Sequence, residues 1–221
     1  MLRFPLSTRT RVLHGAAVVA LSALAGCASI GSAAPAVSST TYRFESATDL
    51  DAWVAYGGDW SVSDDTAVGR SLYPQSDRYA WLTCRTAYSD IERVIVHASL
   101  DASSPHNLRI GVGAVTVILN WELADKNLVH YIGSDARVAG RRAIVPGRES
   151  EIVVESIGTG ADRHVRLVVD DRVLWEDEGP PLIGTVTVYP ALGSTIRVRD
   201  VEITGRPAPC VDVHGPSLPH Y

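Results

Sequence analysis

Lysine is almost absent from this chain: Lys126 stands alone against nineteen arginines. A Schiff-base mechanism would have to rest on that single loop residue and is not expected. Cysteine is scarce too, with three in 221 residues and no C-x-x-C pair, and the histidines show no H-x-x-x-H spacing on one element. No metal site is expected from those patterns. A glycine-rich phosphate loop and a G-x-S-x-G nucleophile turn are both missing, so neither nucleotide nor serine-hydrolase chemistry has support. No cofactor is implied. Helical periodicity is missing as well: from Thr41 to Gly205 no window of eleven or more residues keeps apolar residues at spacings of three and four.

Positive charge is in short supply once the amino terminus is set aside. Residues 1–26 carry Arg3, Arg9 and Arg11 ahead of a largely apolar region, Val12 to Leu24, and then Leu24-Ala25-Gly26-Cys27. Thirteen residues are too few to cross about 30 Å of hydrocarbon as a helix. The order of charge, apolar run and LAGC resembles a bacterial lipoprotein signal peptide, which implies cleavage before Cys27 and lipid on that cysteine. The expected location is therefore the bacterial cell envelope, with the exported protein anchored to a membrane. Without the three signal arginines the balance is 25 acidic to 17 basic residues, a net charge near −8. That argues against nucleic acid as a partner, whose binders cluster positive charge.

Residues 27–40 follow as the lipidated cysteine and a small-residue tether, ASIGSAAPAVSST, spanning at most about 45 Å from Ala28 to Thr40. The folded domain is expected over residues 41–205, and 206–221 form a proline-rich tail. With Cys27 committed to lipid, Cys84 and Cys210 remain. In an oxidising compartment they are open to two readings, a disulfide or a buried thiol and a tail thiol.

Short apolar alternations bounded by Gly, Pro, Asp and Asn fill the domain. Strands are expected at Tyr42–Glu45, Trp60–Ser63, Ala67–Ser71, Tyr79–Cys84, Ile91–Leu100, three runs between Asn107 and Ile132, Arg137–Val145, Glu151–Ser156, His164–Val169, Val173–Asp177, Thr185–Tyr189 and Ile196–Thr204. Only Ala47 to Trp53 reads as a helical turn, with Ser46 or Asp49 able to cap it. Asp170-Asp171 between two alternating runs predicts a tight hairpin. This pattern gives an all-β fold, a sandwich of two antiparallel sheets.

The stretch from His106 to Gly133 holds the one constellation that looks like a site. If Leu108, Ile110, Val112, Val117, Leu119, Trp121, Val129 and Tyr131 face the core, alternation sends Asn107, Arg109, Asn120, Glu122 and His130 to the opposite face. Arg109 suits a carboxylate through its planar fork. Glu122 with His130 could do general acid and base work, or hydrogen-bond a ligand, or form a cross-strand pair. Among the tryptophans, parity puts Trp121 and Trp175 in the core and leaves Trp81 or Trp53 as the candidates for sugar stacking. Asp49, Asp51, Asp64 and Asp65 lie in early loops, where acidic turns explain them better than bound Ca²⁺.

Three segments carry a resemblance. FESATDLDAWVAYGGDWSVSDDTAVGRS resembles the entry of concanavalin A-like jelly-roll domains of sugar-related bacterial families, HVRLVVDDRVLWEDE resembles their laminin-G-like hairpin, and GTVTVYPALGSTIRVRDVEITG resembles their closing strands. The resemblance implies a two-sheet antiparallel jelly-roll sandwich and a glycan or polysaccharide partner. Jelly-roll glucanases set carboxylates together on one strand in an E-x-D-x-x-E-like pattern, whereas Asn120-Trp121-Glu122 offers one acid. A carbohydrate-binding lipoprotein is thus expected ahead of a glycoside hydrolase or polysaccharide lyase using Glu122 and His130, or of an envelope protein with no small ligand.

Overall fold

The computed structural model describes residues 35–72, 80–103, 107–121, 125–191 and 193–208. Fifteen strands among them form two antiparallel sheets, β1 Ser38–Arg43, β2 Trp53–Tyr56, β3 Asp59–Ser63, β4 Thr66–Arg70, β5 Trp81–Cys84, β6 Tyr88–Leu100, β7 Leu108–Val112, β8 Val115–Leu119, β9 Leu128–Tyr131, β10 Arg137–Val138, β11 Ser150–Ile157, β12 His164–Val169, β13 Arg172–Glu178, β14 Val186–Pro190 and β15 Thr195–Pro207. The first sheet is ordered β13-β12-β11-β6-β15-β4-β3, with β1 also paired to β15; the second is β10-β9-β8-β7-β14-β5-β2.

Period-two alternation makes both sheets and the core between them. Val94, Val96, Ala98 and Leu100 of β6 and Ile152 and Val154 of β11 face Leu108, Ile110, Val112, Val115, Val117 and Leu119 of the second sheet, all essentially inaccessible to solvent. β15 shows how a bulge is written in sequence. Its buried residues step from Ile196 and Val198 to Val201 and Ile203, and the odd three-residue step coincides with a register shift between Val198 and Asp200. The bulge turns Arg199 and Asp200 both away from the core.

Local chemistry agrees with the turns. Asp170 and Asp171 take φ of 48° and 62° between β12 and β13, and Asp64 and Asp65 take 53° and 54° between β3 and β4. These are the left-handed pairs a two-residue hairpin requires. Asp49 closes the 3-10 turn Ala47–Ala52 by accepting the Ser46 and Glu45 N–H groups at 2.7 and 2.8 Å. In the G-G-x-W-S-V motif, Trp60 pairs with Gly69, where a Cβ would lie 2.4 Å from the indole, so the glycine makes room for the ring.

The structure departs from the sequence reading in several places, among them the end of β15, which runs to Pro207, two residues into the expected tail. β1 begins at Ser38 and so takes in the last residues assigned to the tether. β2 was not expected, because WVAY is short and follows a helical turn directly. The tryptophan that starts it, Trp53, is 1% exposed in the core, which removes it from the sugar-stacking candidates. The run expected as a strand over Arg137–Val145 is paired only at Arg137–Val138. Beyond that Ala139 and Gly140 still share backbone hydrogen bonds with Asn127, and the rest is held by side chains: Asn127 donates to the carbonyls of Ala139 and Arg141, and Asn120 takes up Ala143 and Ile144.

Candidate functional site

β7, β8 and β9 are neighbours, as expected, and the register defines their outer face. Arg109 lies opposite Ile118, Ile118 opposite Leu128, and Thr116 opposite His130. Arg109 and His130 therefore share that face, two strands and two residues apart, which puts their Cα atoms about 12 Å from each other. Both are partly buried.

Asn120 does not belong to the set. β8 ends at Leu119, and Asn120 takes a left-handed φ of 56°, so alternation stops there. Its side chain is fully buried; it donates to the Ile144 carbonyl at 2.6 Å and accepts the N–H groups of Ala143 and Ile144 at 3.2 Å each. Its own N–H donates to Asn127 Oδ1 at 3.0 Å. This is a loop clamp, and its complete burial keeps it from a ligand. The same break corrects Trp121, which is half-buried outside the core cluster with Lys126 Nζ 5.2 Å from its ring centroid. Asn107 is also buried instead of outward, accepting from Arg109 Nε at 2.8 Å. Glu122 and Cys210 lie outside the described residues, as does Cys27. Cys84 is fully buried, and burial raises its thiol pKa.

Following the outer face past β7 reveals residues that the sequence reading did not join to it. Tyr189 on β14 pairs with Arg109, and β5 and β2 continue the row with Trp81 and Tyr56. Trp81 and Tyr189 stack with centroids 3.9 Å apart and planes 21° from parallel, and the Arg109 guanidinium lies 5.8 Å from the Tyr189 centroid. None of these side chains belongs to the core cluster. Trp81 and Tyr189 are 9% and 5% exposed, while Tyr56 at the edge is 52% exposed, so Tyr56 offers the accessible ring and the stack forms the wall behind it. Beside the row, Thr83 and Thr187 share a buried hydrogen bond of 3.0 Å. Trp81 was a sequence candidate; its partner was not, because only the β14–β5 register brings Tyr189 beside it.

Two clefts lined by described residues lie elsewhere. One, of about 660 Å³, is bounded by Tyr131, Arg137, Arg163, Asp177 and Glu178 where the sheet edges meet. Burial and the Asp177 charge push the Tyr131 phenol up to about 12, against the pull of Arg137. The other lies beside Arg199 and Asp200. There the His97 ring bridges Asp200 at 2.6 Å and Glu151 at 3.1 Å. Among the described residues no cluster of three or more His, Cys, Asp or Glu could hold a metal ion.

No protein-family model and no curated protein matches the chain. Solved structures do. The transglycosylase Crh5 in complex with NAG superposes with a TM-score of 0.60 at 14% identity, over 78% of this chain and 86% of that one. A protein with a galectin-like fold from Bacillus subtilis gives 0.59 at 11%, over 80% and 99%. A Bacillus licheniformis β-glucanase gives 0.58 at 9%, over 76% and 98%. The fold is the concanavalin A-like jelly roll. At such identities the likeness speaks for the fold alone.

Proposed function

We propose that this chain is an exported, lipid-anchored protein of the bacterial cell envelope whose sandwich binds a glycan on the outer face of the second sheet. The observation that carries the reading is the row Tyr56, Trp81, Tyr189 and Arg109. The accessible Tyr56 ring, held in a row with the buried Trp81–Tyr189 stack and the Arg109 guanidinium on the side of a sheet that the core does not use, suits the apolar faces and hydroxyls of a sugar. A transglycosylase bound to NAG and a β-glucanase among the similar structures support the same class of ligand. The signal pattern ending in Leu24-Ala25-Gly26-Cys27 supports the anchor.

A glycan array probed with the purified full chain tests the reading. Tyr56→Ala is expected to weaken binding by about 1 kcal/mol or more, since a ring is lost from the contact surface. Wild-type protein that binds no glycan on the array would end it. Release of reducing ends from a bound glycan, abolished in Glu122→Gln, would replace the binding reading with hydrolysis.

A further inference from the structure

One end of the sandwich gathers the first residues of the domain and its most exposed isoleucines. Ser38, where β1 begins, pairs with Gly205, and Gly205 pairs with Ile91. The Ile91 N–H donates to Leu182, and Tyr88 exchanges both backbone hydrogen bonds with Gly184. Ile183 lies between those two contacts, with its carbonyl packed so closely on Gly113 that a Cβ there would meet it at 2.1 Å. From Gly113 the β7–β8 turn continues to Ala114, whose carbonyl accepts the Ile132 N–H at 2.9 Å. Val37, Ile183 and Ile132 thus sit on one end, and they are 38%, 52% and 70% exposed. Beneath them Leu182 is fully buried, so the core is already closed and these three side chains are not needed to cap it.

We propose that this end seats on the surface of the lipid bilayer that holds the Cys27 lipid, with Ile132 and Ile183 dipping into the interface. The proposal rests on the lipid-anchor reading above and adds an orientation to it. The occupant follows from the chain: ten residues separate Cys27 from Ser38, so the end where Ser38 enters lies within about 40 Å of the anchored cysteine. A chain of that length and small-residue composition has a typical span of about 18 Å. A contact of three aliphatic side chains would be too weak to hold a free protein on a membrane. Held by a short tether, it acts at an effective concentration in the millimolar range and becomes an orienting contact.

Charge at this end is mixed in sign: Arg137 lies against Asp177 and Arg163 against Asp90 at 3.4 Å, and Arg206 and Glu178 beside them add one charge of each sign. The contact is therefore apolar in kind and indifferent to anionic lipid. Orientation has a consequence for the aromatic row. Tyr189 and Arg109 lie three residues along from the Val186 and Val112 pair beside the β7–β8 turn, about 10 Å farther from this end. Seating the Ile132 end leaves the row on a side face about 10 Å clear of the interface.

Amide hydrogen exchange on the full lipidated chain in phosphatidylcholine nanodiscs decides the matter, with the Cys27→Ala chain in solution as reference. Exchange around Ile132 and Ile183 should slow by about threefold or more in the discs. The Asp170-Asp171 hairpin at the opposite end should be unchanged. The Ile132→Ser, Ile183→Ser double variant should stay lipidated and disc-bound yet lose the slowing, and adding phosphatidylglycerol should leave the wild-type pattern unaltered. A chain without lipid mass on Cys27 would overturn the anchor reading and this proposal with it. A lipidated, disc-bound chain whose Ile132 and Ile183 amides exchange as in solution would overturn the orientation alone.

Discussion

Trp81 and Tyr189 stack at 3.9 Å across neighbouring strands on the face of the second sheet that points away from the core. The contact separates two roles along one row of side chains. The stacked pair is almost inaccessible and braces the β5–β14 pairing, whereas Tyr56, next in the row, is half exposed and braces little.

Trp81→Ala should accordingly cost about 3 kcal/mol of stability, the range for truncating a buried aromatic that also loses a ring partner. Tyr56→Ala should stay within about 1 kcal/mol while affecting ligand binding. Urea denaturation of both variants checks this. Equal losses would mean that Tyr56 is a packing residue and that the row has no accessible ring.

Asn120 gives a second test, of stability alone. Asn120→Ala strands the N–H groups of Ala143 and Ile144 and the Ile144 carbonyl, and it places a Cβ residue without a local hydrogen bond at φ 56°. Each buried group left unpaired costs about 1–3 kcal/mol, so a loss of about 3 kcal/mol or more is expected, with glycan binding retained by whatever remains folded. Asn120→Gly tolerates the backbone and should lose somewhat less. A variant that melts normally but no longer binds would return Asn120 to the ligand site.

The same residue marks where sequence alternation stopped being a guide. Parity placed Leu108, Ile110, Val117, Leu119 and Val129 inward and Arg109, Ile118 and His130 outward, because within an uninterrupted strand side chains have no other option. One left-handed residue at the end of β8 cancels the count, and Trp121 falls outside the core cluster. A short polar residue at a strand end, followed by Asp125 and a second asparagine at Asn127, was the available sign of a clamp. The aromatic row was legible only in pieces. WLTC shows no clear apolar–polar alternation and is buried throughout, so it does not say which of its residues faces the core. The answer depends on pairing with β14, more than a hundred residues away, and no local pattern encodes that register. The bulge in β15, by contrast, was visible as the step from Val198 to Val201.

Burial opposes ionisation of Asp200, yet hydrogen bonds from Arg199 at 2.8 Å and from the His97 ring at 2.6 Å outweigh it and hold the carboxyl below the usual range. Glu149 and Glu151 face the same cluster through Arg199 and His97. A carboxyl whose folded pKa lies below its unfolded value of about 3.9 contributes stability that is complete above that value and is lost as pH falls through the folded one. The wild-type melting temperature should therefore fall below about pH 4, partly through Asp200. Asp200→Asn should be less stable at neutral pH by about 1–2 kcal/mol, because the site is only partly screened from solvent. It should also lose less on acidification, so the two curves should converge below about pH 4. Thermal melts of both proteins across that range decide it: curves that stay parallel would show that Asp200 titrates in the folded protein as it does in the unfolded chain.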